Sequence, residues 1–195
     1  MNPAQTRAPH HIGRFGECFV TYALIRRGFE LATVDHVGAD LIAERDGERC
    51  AISVKTRLFR EASTESKMLV IEETGLQRLC SFAAQFAMTP MIAYVVCLSA
   101  DKKIHLFFSS VAHVRSRFKK AKLGYSLYFS DSNIQQHIDD PEVAYACWRE
   151  ENLERFERGA TLVSGAAPLV VARPEAPQIR QAGSSEHRKL CFPTA

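Results

Sequence analysis

The stretch that most restricts how this chain can fold is ADLIAERDGERCAISVK, residues 39–55. Two alternating runs, ADLIAE (39–44) and RCAISVK (49–55), flank Arg45-Asp46-Gly47-Glu48. An Asp-Gly pair between such runs is the strongest short-range signal for a tight hairpin. Side chains alternate across a strand, so Asp40, Ile42 and Glu44 share one face, and Ala51, Ser53 and Lys55 share one face of the partner. The hairpin brings Asp40, which opens its strand, to the same end as Lys55, which closes the other.

The flanking pattern places this hairpin in a larger unit. HIGRFGECFVTYALIRRGFE (11–30) reads as a helix of about five turns, apolar around its axis and thus largely buried. Arg26-Arg27-Gly28 supplies its stop. ELATV (30–34) is a further strand, 56–68 a polar loop, and MLVIEE (68–73) a short strand. TGLQRLCSFAAQFAM (74–88) is a helix with Thr74 as N-cap. MIAYVVCL (91–98) is a strand apolar on both faces, and IHLFFS (104–109) another. Helical pattern returns at 109–118 and 141–157. The order predicts an α/β fold, a mixed central β-sheet flanked by helices, over residues 11–158. Residues 1–10 are expected to be a flexible N-terminus, and 159–195, rich in Pro, Ala, Gly and Ser, a flexible basic tail.

Composition excludes several classes. No apolar run approaches the roughly 20 residues needed to span a bilayer, and MNPAQTRAPHH lacks the apolar stretch of a secretion leader, which points to the cytoplasm. The six cysteines are scattered without a CxxC pair, the usage of small buried hydrophobes and not of a disulfide or zinc framework. Of the 25 basic and 22 acidic residues, five and two fall from Arg158 onward, so the rest carries 20 of each and is neutral. Nucleic-acid binding must therefore rest on local patches.

Glu17 is the only charged residue from Phe15 to Ile25. An isolated carboxylate among apolar residues costs several kcal/mol and needs a cation or a metal. Two carboxylates, Glu17 and Asp40, converging beside Lys55 would suit a divalent ion. The same residues would equally serve as a structural ion pair at a sheet end.

Taken in order, GRFGE (13–17), RGFEL, GADLIAERDG and AISVKT resemble the PD-(D/E)xK nuclease superfamily, nearest to archaeal Holliday-junction resolvases and restriction-type endonucleases. The resemblance covers about residues 11–110. It implies a restriction-endonuclease-like core of helix, three antiparallel strands, helix and strand, and hydrolysis of DNA phosphodiesters with Mg²⁺ or Mn²⁺. Carried over, it makes Glu17 the helix-borne carboxylate, Asp40 the central metal ligand, and Lys55 the residue that orients water and offsets phosphate charge. Ser53 stands where the family carries its second acid. Glu17, or Glu44 or Glu72 swinging in, or a main-chain carbonyl with water, would have to replace that acid. Otherwise the fold persists as a catalytically degenerate nucleic-acid-binding module. Family analogy also suggests a homodimer.

For DNA, Arg14, Thr56, Arg57 and Arg60 lie next to these positions in sequence. The tract RSRFKKAKLGYSLYF (115–129) interleaves Arg115, Arg117, Lys119, Lys120 and Lys122 with Phe118, Tyr125, Tyr128 and Phe129. It suits phosphate contacts and base stacking, or else a solvated basic surface with its aromatics in the core. His10, His11, His36, His105 and His113 are expected to do no chemistry.

Overall fold

The computed structural model describes residues 8–59, 67–99 and 102–149. Arg60, the 150–157 part of the expected last helix, and the expected tail lie outside them. Helix α1 (Ala8–Ile25) begins inside the stretch expected to be flexible. It buries one stripe, Gly16, Val20, Ala23 and Leu24, at the spacing of a single helical face. The expectation of a largely buried helix is corrected. Phe15, Tyr22 and Ile25 are exposed, because the helix covers one face of a sheet and needs one apolar stripe to do so. Phe15 stacks on Phe19, and Phe19 meets Trp148 edge-on at 4.5 Å. Gly28, at φ +80°, ends the helix, and the amide of Phe29 returns to the carbonyl of Leu24.

Strands β1 (Glu30–His36), β2 (Ala39–Arg45) and β3 (Glu48–Phe59) follow as an antiparallel meander. Arg45 pairs with Glu48, and Asp46 and Gly47 both take positive φ, as a two-residue primed turn requires. After β4 (Met68–Glu72), helix α2 (Glu73–Gln85) crosses to β5 (Thr89–Leu98), which lies parallel to β3. Strand β6 (Lys103–Ser110) returns antiparallel to β5. Next come α3 (Val111–Arg117), β7 (Gly124–Tyr128), α4 (Asp131–Asp139) and β8 (Ala144–Arg149). The main sheet runs β1-β2-β3-β5-β6-β8, and β4 with β7 forms a separate two-stranded ribbon. The fold is α/β with a mixed sheet. Its first elements follow the implied order of helix, three antiparallel strands, helix and strand, with β4 inserted ahead of α2.

Four local expectations are revised. Residues 56–59 are strand, because β3 keeps its register with β5 as far as Phe59–Leu98. Thr74 does not cap α2. The helix starts a residue earlier, after Glu72, and the Glu73 amide donates to the carbonyl of Leu123. The helix expected over 141–157 is strand β8 over 144–149, since the edge of β6 offers a complete ladder from Phe108–Ala144 to Lys103–Arg149. Helix α4 was not expected, although Ser130 caps it through the Asn133 amide.

One large core lies between the sheet, α2 and the ribbon, built from Ile92, Tyr94, Val96 and Leu98 of β5, Phe107 of β6, and Leu76, Leu79 and Phe82 of α2. It holds the β3–β5 pair rigid underneath the polar end of the hairpin.

Candidate functional site

The β2–β3 ladder runs from Arg45–Glu48 to Leu41–Ile52, so the next pair outward sets Asp40 opposite Ser53. There the strands part. Strand β2 has one residue left, while β3 continues to Phe59 with β5 as its strand neighbour among the described residues. Asp40 fills the fork. Its Oδ2 accepts the Val54 amide at 2.6 Å and the Ser53 hydroxyl at 3.1 Å. Ser53 is buried, 7% exposed, so its hydroxyl is committed to that carboxylate.

Lys55 lies two residues past Ser53 on the same face, diagonal to Asp40. Diagonal cross-strand neighbours stand about 7–8 Å apart, within reach of a long side chain. Lys55 is half-buried, and among the described residues it makes no ion pair. Glu17 is half-buried on α1, beside Gly16. A Cβ at Gly16 would run into Thr56 Oγ1 and lie 2.9 Å from Thr56 Cβ. Helix α1 therefore presses on the row of β3 side chains that includes Thr56, the opposite row from Lys55. Thr56 is packed under the helix, its Oγ1 buried with no hydrogen-bond partner among the described residues. Arg14 and Arg57 are exposed. No group of three or more His, Cys, Asp or Glu side chains among the described residues is close enough to hold a metal.

Magnesium keeps several waters and is commonly bound by one or two carboxylates plus substrate phosphate. Asp40 Oδ1 has no hydrogen-bond partner among the described residues, because both donors go to Oδ2. The fork thus fits an ion held mainly by water and phosphate with Asp40 as its carboxylate, and does not form a closed cage of protein ligands.

The basic tract divides between two elements and a turn. Arg115 bonds Glu73 at 2.8 Å, and Lys120 lies 3.5 Å from the same carboxylate. Burial works against charge on Glu73, but Arg115, Lys120 and a hydrogen bond with Tyr125 hold its carboxyl below the usual range. Arg117 reaches Asp140 at 3.5 Å. Three of the five cations of the tract are thus held in ion pairs, while Lys119 and Lys122 are exposed and unpaired among the described residues. Tyr125 and Phe129 are in the core, whereas Tyr128 is 49% exposed.

A polar knot lies beside this tract. The two ring nitrogens of buried His113 face Asp140 at 3.0 Å and Glu142 at 3.1 Å. His137 is buried against Phe118 and Phe129. Burial lowers its pKa, against a hydrogen bond with the Tyr128 backbone. The partners of His113 are 27 and 29 positions away in sequence, so no local spacing announced the knot. Of the other histidines among the described residues, His10 and His11 are exposed, His36 accepts the Gly38 amide, and buried His105 bonds Tyr145.

No protein-family profile matches the sequence, and no curated protein matches it. Among solved structures, the chain is similar to Hjc of Archaeoglobus fulgidus, a Holliday junction resolvase from an archaeal hyperthermophile. The two are 18% identical, the match covers 64% of this chain and 88% of that one, and the TM-score is 0.46. No helix among the described residues is long and apolar enough to cross a membrane.

Proposed function

We propose that the β2–β3 fork is the active site of a metal-dependent endonuclease that hydrolyses DNA phosphodiesters. The observation that supports this reading is the convergence of Asp40, Ser53 and Lys55 where two strands part. A fixed carboxylate with one free oxygen and an unpaired ammonium then lie on the same face of the sheet, either side of Ser53. When bound here, a divalent ion would supply Lewis acidity toward a phosphoryl oxygen and its own water. Asp40 would hold that ion, its carboxylate fixed by the Val54 amide and the Ser53 hydroxyl. Lys55 offsets the negative charge that builds on the phosphate in the transition state and orients the attacking water. Glu17, on the helix that covers the opposite row of β3, is given no ligand role at the fork, and exposed Arg14 and Arg57 are assigned contacts to the strand. A homodimer would set one such site on each DNA strand.

The test is incubation with branched, single-stranded and plasmid DNA in Mg²⁺ or Mn²⁺. Cleavage is expected, and Asp40→Asn or Lys55→Ala should abolish it. No cleavage of any form, or cleavage that survives both substitutions, refutes the proposal.

A second reading, a nucleic-acid-binding module without catalysis, is favoured by one observation. Ser53 donates to Asp40 where a second carboxylate would add charge for a metal. Ser53→Glu separates the two. It sets two carboxylates side by side in a half-buried fork, which is costly unless a cation joins them. The variant should melt lower in EDTA and recover with millimolar Mg²⁺. Mg²⁺-dependent cleavage that appears only in the variant establishes the second reading.

A further inference from the structure

Away from the fork, the end of α3, strand β7 and helix α4 enclose an open pocket of about 120 Å³ that includes Phe118, Tyr128, Asn133, Gln136 and His137 in its wall. We propose that this pocket takes a single unpaired nucleobase from a nucleic-acid strand. The choice of ligand class rests on the nucleic-acid reading of the fork, while the pocket itself does not.

Size sets the first limit. A buried water needs roughly 10–15 Å³ of such space, so the pocket holds about ten heavy atoms. That is one heterocyclic base and less than a base pair. Chemistry sets the second. Tyr128, about half exposed, offers an aromatic face at the mouth. Phe118 is braced by His137 at 5.4 Å between centroids, and His137 stacks on Phe129 at 5.3 Å. The aromatic floor is therefore fixed by the core. The side-chain amides of Asn133 and Gln136 have no hydrogen-bond partner among the described residues. Each carries both donors and an acceptor, the complement of a base edge.

Charge sets the third limit. Asp140 also borders the pocket, but its carboxylate is taken by His113 at 3.0 Å, Arg117 at 3.5 Å and the Glu142 amide at 3.0 Å, so it does not repel a polyanion. A free phosphate would want unpaired cations converging inside, and the guanidinium in the wall, Arg117, is engaged with Asp140. Instead the exposed and unpaired cations, Lys119 and Lys122, lie on the turn that leads from α3 to β7, at the places where a backbone flanking an inserted base would run. Stacking on aromatic side chains is sequence-tolerant and contributes usefully for every base, so the pocket would register an unpaired nucleotide and not a sequence.

The experiment uses a labelled DNA duplex with one bulged nucleotide and the same duplex with an abasic bulge, each titrated with the full chain in EDTA by fluorescence anisotropy. The intact bulge should bind about tenfold tighter, the effect expected of one stacked base. Tyr128→Ala combined with Asn133→Ala should erase that difference and leave the abasic affinity unchanged, and Tyr128→Phe should retain it. Equal binding of the two duplexes, binding of neither, or a difference that survives the double substitution overturns the proposal. Chelation excludes metal-dependent cleavage, so the assay reads binding alone. A failure here therefore leaves the fork reading standing, and loss of cleavage at the fork leaves this one intact.

Discussion

Asp40 has two separable jobs, and replacing it in two ways tells them apart. Its Oδ2 receives the Val54 amide at 2.6 Å and the Ser53 hydroxyl at 3.1 Å. Val54 is buried, 9% exposed, and lies just where β2 stops supplying carbonyls. Asp40→Ala removes the acceptor and strands that amide. A buried N–H left unpaired costs about 1–3 kcal/mol, and a hydrogen bond to a charged group is worth about 1.5–3 kcal/mol. These describe largely the same loss, so the expected destabilisation is about 2–3 kcal/mol. At about 2–4 °C per kcal/mol for a domain of this size, Tm should fall by roughly 4–12 °C.

Asp40→Asn keeps an oxygen in place for the Val54 amide and loses only the charge assistance, a cost of about 1 kcal/mol. Urea unfolding followed by circular dichroism measures all three proteins, and an unchanged m-value shows that the native state is comparable. The same preparations are assayed for cleavage, where both variants should be dead. If Asp40→Ala costs less than about 0.5 kcal/mol, or if Asn is as damaging as Ala, the carboxylate does not cap the fork and the reasoning fails.

Two further expectations follow from packing and titration. Gly16→Ala drives a methyl into Thr56 and should cost about 1–3 kcal/mol, part of it recovered by adding Thr56→Ala; additive effects of the two in chemical denaturation would refute the contact. His137 titrates below the ordinary value of 6.5, because burial disfavours its charged form and Arg117 adds to that, against the pull of the Tyr128 backbone and Asp140. The unfolded chain then binds the proton more readily, so this contribution to stability is complete above about pH 6.5 and is lost as pH falls through that value toward the lower folded one. His137→Gln should flatten the stability profile just below pH 6.5, and an unchanged slope counts against the assignment.

The hairpin was the most legible part of the sequence because its information is local. Asp46-Gly47 fixes a two-residue turn, the turn fixes Arg45 opposite Glu48, and that register carries Asp40 to Ser53 without any tertiary knowledge. Strand β8 was illegible for the opposite reason. AYACWR has no strong strand preference of its own and becomes a strand because β6 presents an open edge, a partner about 40 residues away that no local window contains. The outward apolar side of α1 misled in another way. Phe15, Tyr22 and Ile25 look like core by type, but an apolar residue is often exposed, and only the stripe from Gly16 to Leu24 meets the sheet. Glu17 was readable as an isolated charge, yet the side of β3 that α1 would cover was not. That depends on which face Gly16 could approach.

Asp40 alone does not argue for chemistry, since an amide at the end of a ladder needs an acceptor in any protein. Lys55 is the residue that does. It is half-buried at the fork and has no ion-pair partner among the described residues, so its stem lies along the sheet while its charge is left unneutralised. A residue kept for stability would be paired; one kept for an anionic ligand is left waiting for it. Lys55→Met keeps most of the side-chain length and apolar stem while removing the charge. It should therefore leave the unfolding free energy unchanged or raise it by up to about 1 kcal/mol, and should abolish cleavage in the same preparation. Stability and activity moving apart in this way marks a site whose strain is part of its use. A Lys55→Met protein that unfolds more easily by about 1 kcal/mol or more would place the ammonium in a structural ion pair after all, and would remove the main physical reason for reading the fork as an active site.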